Sequence, residues 1–261
     1  MLKQRNQKMS VKIRNIKSVI FSVIFFTFSL MAHGLSGPSN SQILPVTLKY
    51  DLGSTTAWAP FGFTGIQNKP GILIELIERV MKEAAIVTET SYLPVKRAVT
   101  ALELGQIDFD AVSPDWFKDK LIGVDYVSSV PLFEVTEYFV TLPNFVEEFN
   151  QPEMAYGQLV GTVAGYAYFD DDKFIRADFL SESELIMGLV KGRFKVAIIE
   201  KRAAQHWAKK NNVEIMFASV HTKGDIVLRL RKEHEKLLPR INQAINFFQK
   251  NGELKKIFDK Y

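Results

Sequence analysis

The 261-residue chain has no cysteine. Disulfides, thiolate metal sites, a cysteine nucleophile and a lipidated N-terminal cysteine are thereby excluded. Histidine is scarce too. His33, His206, His221 and His234 are the whole set, and the last three show no metal-ligand spacing and are expected at the surface. Aspartate and glutamate are missing from residues 1–34, which hold the cations Lys3, Arg5, Lys8, Lys12, Arg14 and Lys17. The formal net charge of +4 therefore belongs to the N-terminus, since the remainder has 27 Lys and Arg against 29 Asp and Glu. Nothing in that body argues for a nucleic-acid partner. Gly-x-Ser-x-Gly, His-Glu-x-x-His, P-loop and dinucleotide glycine patterns are also absent. The one long apolar run, Val19–Met31, has 13 residues, short of the roughly 20 that a spanning helix needs.

What is present begins with that N-terminus. A basic region, an apolar run and Ala32-His33-Gly34 stand in the order of an export signal, so residues 1–34 are expected to be a signal peptide cleaved near Gly34. An uncleaved anchor is the alternative. With no cysteine to carry a lipid, the expected destination is the periplasm. The whole chain is 47% hydrophobic and 24% charged, ordinary for an α/β protein of one or two domains.

Val46–Tyr50 reads as a strand. Leu73, Leu76, Ile77, Val80, Met81 and Ala84 repeat at helical spacing. In YLPVKRAVTALELGQIDFDAVSP, Pro94 suits a first helical position, Val95, Ala98, Val99 and Leu102 make a buried stripe, and Gly105 is the stop before a strand over 107–112. The device recurs. Ser181 and Glu184 form a capping box, Leu185, Ile186, Leu189 and Val190 a stripe, Gly192 a stop, and Phe194–Ile199 a strand that ends at Glu200. Two such units predict two lobes, each with its own mainly parallel sheet. Ligands sit beyond the carboxyl ends of parallel strands. Candidate site residues are therefore Asp51, Ser113 to Trp116, Gly165 to Tyr168 and Glu200.

The segments PGILIELIERVMKEA, LPVKRAVTALELGQIDFDAVS, QLVGTVAGYAYF, LVKGRFKVAIIE and INQAINFFQKNGELKKIFDKY, in that order, resemble the type II periplasmic solute-binding proteins of the amino-acid type, extracellular solute-binding family 3. The resemblance implies two α/β lobes closing on a small polar solute, an amino acid or related amine, for an ABC-type importer. Lobe 1 is expected over residues 43–134 plus 222–261, and lobe 2 over 135–221. Crossings are expected near Phe133–Glu137 and near His221–Asp225.

On this resemblance Glu200 stands where relatives place an acid for the ligand's ammonium group; its competing reading is a residue of the next helix's first turn. Asp51 stands where relatives contact the amine or shape the cleft, Trp58 at the place of an aromatic platform, and Arg97 in a Pro-x-x-Arg motif. Ser113 and Trp116 follow the strand that leads to the family's carboxylate clamp. The usual clamping arginine falls on Lys120, so the clamp is Lys120, or Arg97, or is absent because the solute lacks an α-carboxylate. Tyr166 lies after a strand and before an expected helix, where free N–H groups suit an anion. Asp170-Asp171-Asp172 is read as a solvated acidic run. No catalytic residue, metal or cofactor is expected, and the protein is expected to be a monomer. Alternatives to import are a dehydratase of the cyclohexadienyl or arogenate type on the same fold, and presentation of the ligand to a sensor receptor.

Overall fold

In a computed structural model, residues 46–53, 58–63 and 69–261 are described. The expected signal peptide lies outside them. No helix among the described residues is long and apolar enough to cross a membrane.

The elements alternate as the pattern predicts: β1 (Val46–Asp51), α1 (Ile72–Glu83), β2 (Ile86–Ser91), α2 (Val95–Glu103), β3 (Phe109–Val112), β4 (Tyr126–Ser128) and β5 (Phe133–Thr141). Then come β6 (Leu159–Val163), β7 (Ile175–Phe179), α3 (Glu182–Val190), β8 (Val196–Glu200), α4 (Lys201–Asn211), β9 (Met216–Arg231), α5 (Leu238–Lys250) and α6 (Glu253–Lys260). Strand order is β2-β1-β3-β9-β5-β8-β6-β7, with β4 added on β9. At each end three strands run parallel, β2-β1-β3 and β7-β6-β8. The two sets meet in the antiparallel β5–β9 pair. The expected crossings lie opposite each other there, Phe133 pairing with Ile226 and Glu137 with Thr222. The two predicted sheets are thus joined through one strand, because the 16 residues of β9 are long enough to pair in both.

Helix α1 buries Ile72, Ile74, Leu76, Ile77, Val80 and Met81. All of these but Ile74 join a first core with β1, β3, β5, β9, α5 and α6. Each such side chain contributes roughly 1.5–3 kcal/mol by leaving water. Two further clusters lie around β8. One gathers Leu185, Ile186, Leu189, Phe194 and Trp207, the other Phe139, Phe149, Val160 and Tyr168.

Helix α2 ends where predicted. Gly105 has φ +70, which suits glycine, and the Arg231 guanidinium donates to the freed Leu102 carbonyl at 2.9 Å. At α3, Ser181 Oγ accepts the Glu184 N–H, while Glu184 returns its bond to Leu180 N–H rather than to Ser181. The helix expected after Tyr168 does not form. Turns lead instead from β6 into β7, where Ile175–Phe179 pairs with Leu159–Val163.

Candidate functional site

A cavity of about 430 Å³ opens at the carboxyl ends of the parallel strands, between the two sets of elements. Its first wall comes from the end of β1, the loop after it, α1, the face of α2 and the end of β3. Its second comes from β5, the end of β6, the start of α3 and the end of β8. The walls touch. Gly165, at φ +91, lies so close to α2 that a Cβ would come within 2.9 Å of Lys96 Cγ and 3.1 Å of Val95 Cγ1. Any side chain at residue 165 would prise the cleft open.

Part of the α2 stripe proves to be cavity wall rather than core. Val95, Ala98 and Val99 line the cavity, and only Ala101 and Leu102 of this helix are buried. Aromatic rings dominate the first wall. Trp58 stacks on Phe61 at 4.3 Å and meets Trp116 edge-on at 5.9 Å. Tyr50 Oη and Trp116 Nε1 are buried with no hydrogen-bond partner among the described residues, and both side chains line the cavity. Buried polar atoms of this kind are rare unless something else completes them.

Six carboxylates line the cavity: Asp51, Glu103, Asp110, Glu137, Glu182 and Glu200. Among the described residues one cation, Arg229, faces them, and it is already bonded. Its Nε donates to Asp110 Oδ1 at 2.9 Å and its Nη2 to Oδ2 at 2.5 Å, the planar fork that a guanidinium makes with a carboxylate. Asp51 is also engaged. Oδ1 accepts from Leu93 N–H and Ser91 Oγ, and Oδ2 from Gly53 N–H, so this acid shapes the β1 loop.

Glu200 reconciles its two readings. Its Oε2 accepts the Ala203 N–H at 2.9 Å, capping α4, while the side chain also lines the cavity. Burial pushes its pKa up to about 7 against the Ala203 and Arg202 N–H bonds. Glu182 Oε1 accepts from Tyr166 Oη at 2.9 Å, and burial, with the Glu137 charge beside it, pushes that carboxyl up to about 7 as well.

Of the sequence candidates, Asp51, Trp58, Trp116, Tyr166 and Glu200 come together on the wall. Three do not. Arg97 is exposed, because its position on α2 turns away from the face that carries Val95, Ala98 and Val99. Lys120 is exposed in a turn and pairs with Asp115 at 2.8 Å. Ser113 is fully buried off the cavity, its Oγ unpartnered among the described residues. The acidic run departs from expectation too: Asp170 is buried against His221, so neither is a surface residue.

Sequence reasoning missed Glu137, Glu182 and the Asp110–Arg229 pair. The alternation Phe133, Val135, Glu137, Phe139 signals an acid on the inward face of β5. Glu182 follows the Ser181 cap and looks like an ordinary first-turn acid. Asp110 and Arg229 lie 119 residues apart and carry no local signal.

A family model described as bacterial extracellular solute-binding proteins, family 3, matches residues 50–261. The arginine-binding extracellular protein ArtP of Bacillus subtilis is 24% identical over 245 residues, covering 90% of this chain and 93% of its own length. An ancestral arginine-binding protein solved with arginine superposes with a TM-score of 0.65 at 23% identity, over 82% of this chain and 97% of that one. An ancestral amino-acid-binding protein described as a precursor of cyclohexadienyl dehydratase gives 0.64 at 18% identity, over 82% and 95%.

Proposed function

The chain belongs to the bacterial extracellular solute-binding proteins of family 3, with the type II periplasmic-binding-protein fold, and on that premise we propose that it captures a small cationic solute for an ABC-type importer. The solute class is a basic amino acid or a related amine. One observation carries this reading. The wall sets six carboxylates against a single guanidinium that is already bonded to Asp110. A cation entering the cleft completes carboxylates whose burial is otherwise costly. Aromatic faces on the first wall suit a guanidinium or an alkyl stem equally well. Among the described residues no free arginine on the wall waits for an α-carboxylate, so a solute without one is accommodated as readily as an amino acid.

The rest of the reading follows from family membership and the N-terminal pattern. Residues 1–34 direct export and are removed near Gly34, the mature chain works as a periplasmic monomer, and an inner-membrane permease receives the solute. The lobes are assigned to residues 43–134 plus 222–261 and to 135–221. Calorimetry with L-arginine, L-lysine, agmatine, L-glutamate and L-leucine tests the solute class. The cationic probes bind; binding confined to glutamate or leucine removes the reading.

A second reading is supported by Glu182 and Glu200. Two carboxyls near pKa 7 in one cavity suit proton transfer at neutral pH, as a dehydratase requires. Turnover of prephenate or arogenate by the purified protein would favour it. The import reading expects none.

A further inference from the structure

A buried cluster of charge lies where the two long strands cross. The β5–β9 pairing runs from Glu137 opposite Thr222 to Tyr138 opposite Val220, so His221 is the extra residue of a β-bulge. Bulges re-aim side chains. Here the His221 ring, 1% exposed, is set between two acids. Its Nε2 lies 2.8 Å from Asp170 Oδ1 and its Nδ1 3.3 Å from Glu137 Oε2. Thr222 Oγ1 donates to the same Glu137 Oε2 at 2.6 Å. Phe139 and Tyr168 pack edge-on against the ring and Phe169 lies across it. Only an imidazolium donates from both nitrogens. Burial opposes that charge, but the hydrogen bonds that the ring donates to Asp170 and Glu137 outweigh it and push the His221 pKa up to about 9.

The cluster explains more than the packing of the crossing. Asp170 and Glu137 set two carboxyl groups around one imidazole, and Glu137 is the member that lines the cavity. Both hydrogen bonds to Glu137 fall on Oε2, and among the described residues none falls on Oε1. Its neighbours on that wall are placed differently. Among the described residues no buried cation lies against Glu182 or Glu200, and each is pushed up to about 7.

We propose that Glu137 is the primary acceptor for the cationic group of the solute, through Oε1, and that His221, anchored by Asp170, is the positioning residue that holds this carboxylate at the strand crossing. The assignment rests on the cationic reading above and sharpens it. The group recognised is a guanidinium or primary ammonium, and its receptor is on β5, where that strand pairs with the β9 strand that joins the two halves of the fold. A cation bound there meets both walls at the point about which they turn, which couples occupancy to closure.

The test compares L-arginine with L-citrulline, in which a neutral urea replaces the guanidinium at nearly the same shape. Calorimetry at pH 8 is run on the full mature chain and on Glu137→Gln, His221→Gln and Asp170→Asn, with melting recorded for each. Glu137→Gln is expected to lower arginine affinity by about thirtyfold or more and to leave citrulline within about threefold, in line with losing one partner of a buried charged contact. His221→Gln and Asp170→Asn, which leave the cavity wall itself unaltered, are expected to reduce the arginine-to-citrulline ratio several-fold. A merely structural role would lower melting and leave that ratio alone. An unchanged ratio in Glu137→Gln overturns the proposal; should that variant not fold, an unchanged ratio in folded Asp170→Asn does so. Wild-type protein that binds arginine no tighter than citrulline removes the cationic reading, and this assignment with it. Arginine preference that survives in Glu137→Gln but is lost in Glu200→Gln keeps the cationic reading and moves the receptor to Glu200.

Discussion

The two walls of the cavity are chemically unlike. The first offers rings and aliphatic side chains, among them Trp58, Phe61, Trp116 and the α2 face, and its Asp51 and its Asp110–Arg229 pair are already bonded within the protein. The second offers Glu137, Glu182 and Glu200 beside Tyr166. One wall supplies mainly surface, with Glu103 at the exposed end of α2, and the other supplies the buried carboxyl groups. On the cationic reading proposed above, a solute held by both is amphipathic, with an apolar or planar body and a cationic end. It favours closure only because neither wall satisfies it alone. The difference also separates two kinds of perturbation. Changes on the acidic wall should alter which solute binds, while changes on the aromatic wall should alter how tightly every solute binds.

After Glu137, the largest effect expected from breaking this contrast is removal of charge at Glu200. Glu200→Gln keeps the shape and retains an oxygen to cap α4. At pH 8 it should lower affinity for L-arginine by roughly 2 kcal/mol, about thirtyfold, with melting close to wild type. Near wild-type affinity in calorimetry would reduce Glu200 to a helix cap.

Next comes pH. Glu182 and Glu200 have folded-state pKa values near 7, above their ordinary carboxylate values. The folded state therefore binds more protons than the unfolded chain between these values, and their contribution to stability is full below the ordinary carboxylate pKa and is lost as pH rises through about 7. His221 behaves alike at higher pH, its contribution being lost as pH rises from about 6.5 through about 9. Ligand-free protein should thus melt progressively lower from pH 5 to pH 9. Affinity for a cation runs the other way, rising between pH 6 and pH 8 as the two glutamates ionise, and binding at pH 7 should release protons. Melting curves across pH, with and without L-arginine, check both signs. A decline equally steep in the Glu182→Gln, Glu200→Gln double variant would refute the assignment.

The smallest effects separate wall from surface. Trp116→Ala removes a ring from the aromatic wall and its edge contact with Trp58, and should weaken arginine and citrulline alike by about 1 kcal/mol. Arg97→Ala and Lys120→Ala, at exposed positions off the wall, should change either affinity by less than about 0.5 kcal/mol. A large loss in Arg97→Ala alone would mean that the solute reaches beyond the cavity described here.

Much of the fold is legible in the sequence. The α1 stripe, the Gly105 and Gly192 stops, the Ser181 cap and the strands 46–50 and 196–199 all stand where the pattern puts them. The site is legible in half. Strand ends named Asp51 and Glu200, and the family resemblance named Trp58, which all line the cavity, while Arg97 lies off it because a motif fixes a position along a helix and not the face it turns to the cleft. Val95, Ala98 and Val99 make the same point from the other side. Periodicity shows that they avoid the polar face, and cannot say whether they meet a core or a cavity.

By itself the sequence determined the alternation of strand and helix, the order of the elements and the apolar face of each, because these depend on spacing and turn chemistry within a few residues. The charge of the site was decided only by the tertiary structure. Glu137, Glu182 and Glu200 come from three separate elements, Arg229 finds Asp110 across 119 residues, and a bulge turns His221 inward between two acids. Whether such a group is charged depends on how much water surrounds it and which partner it meets, and both are set when distant strands are brought side by side.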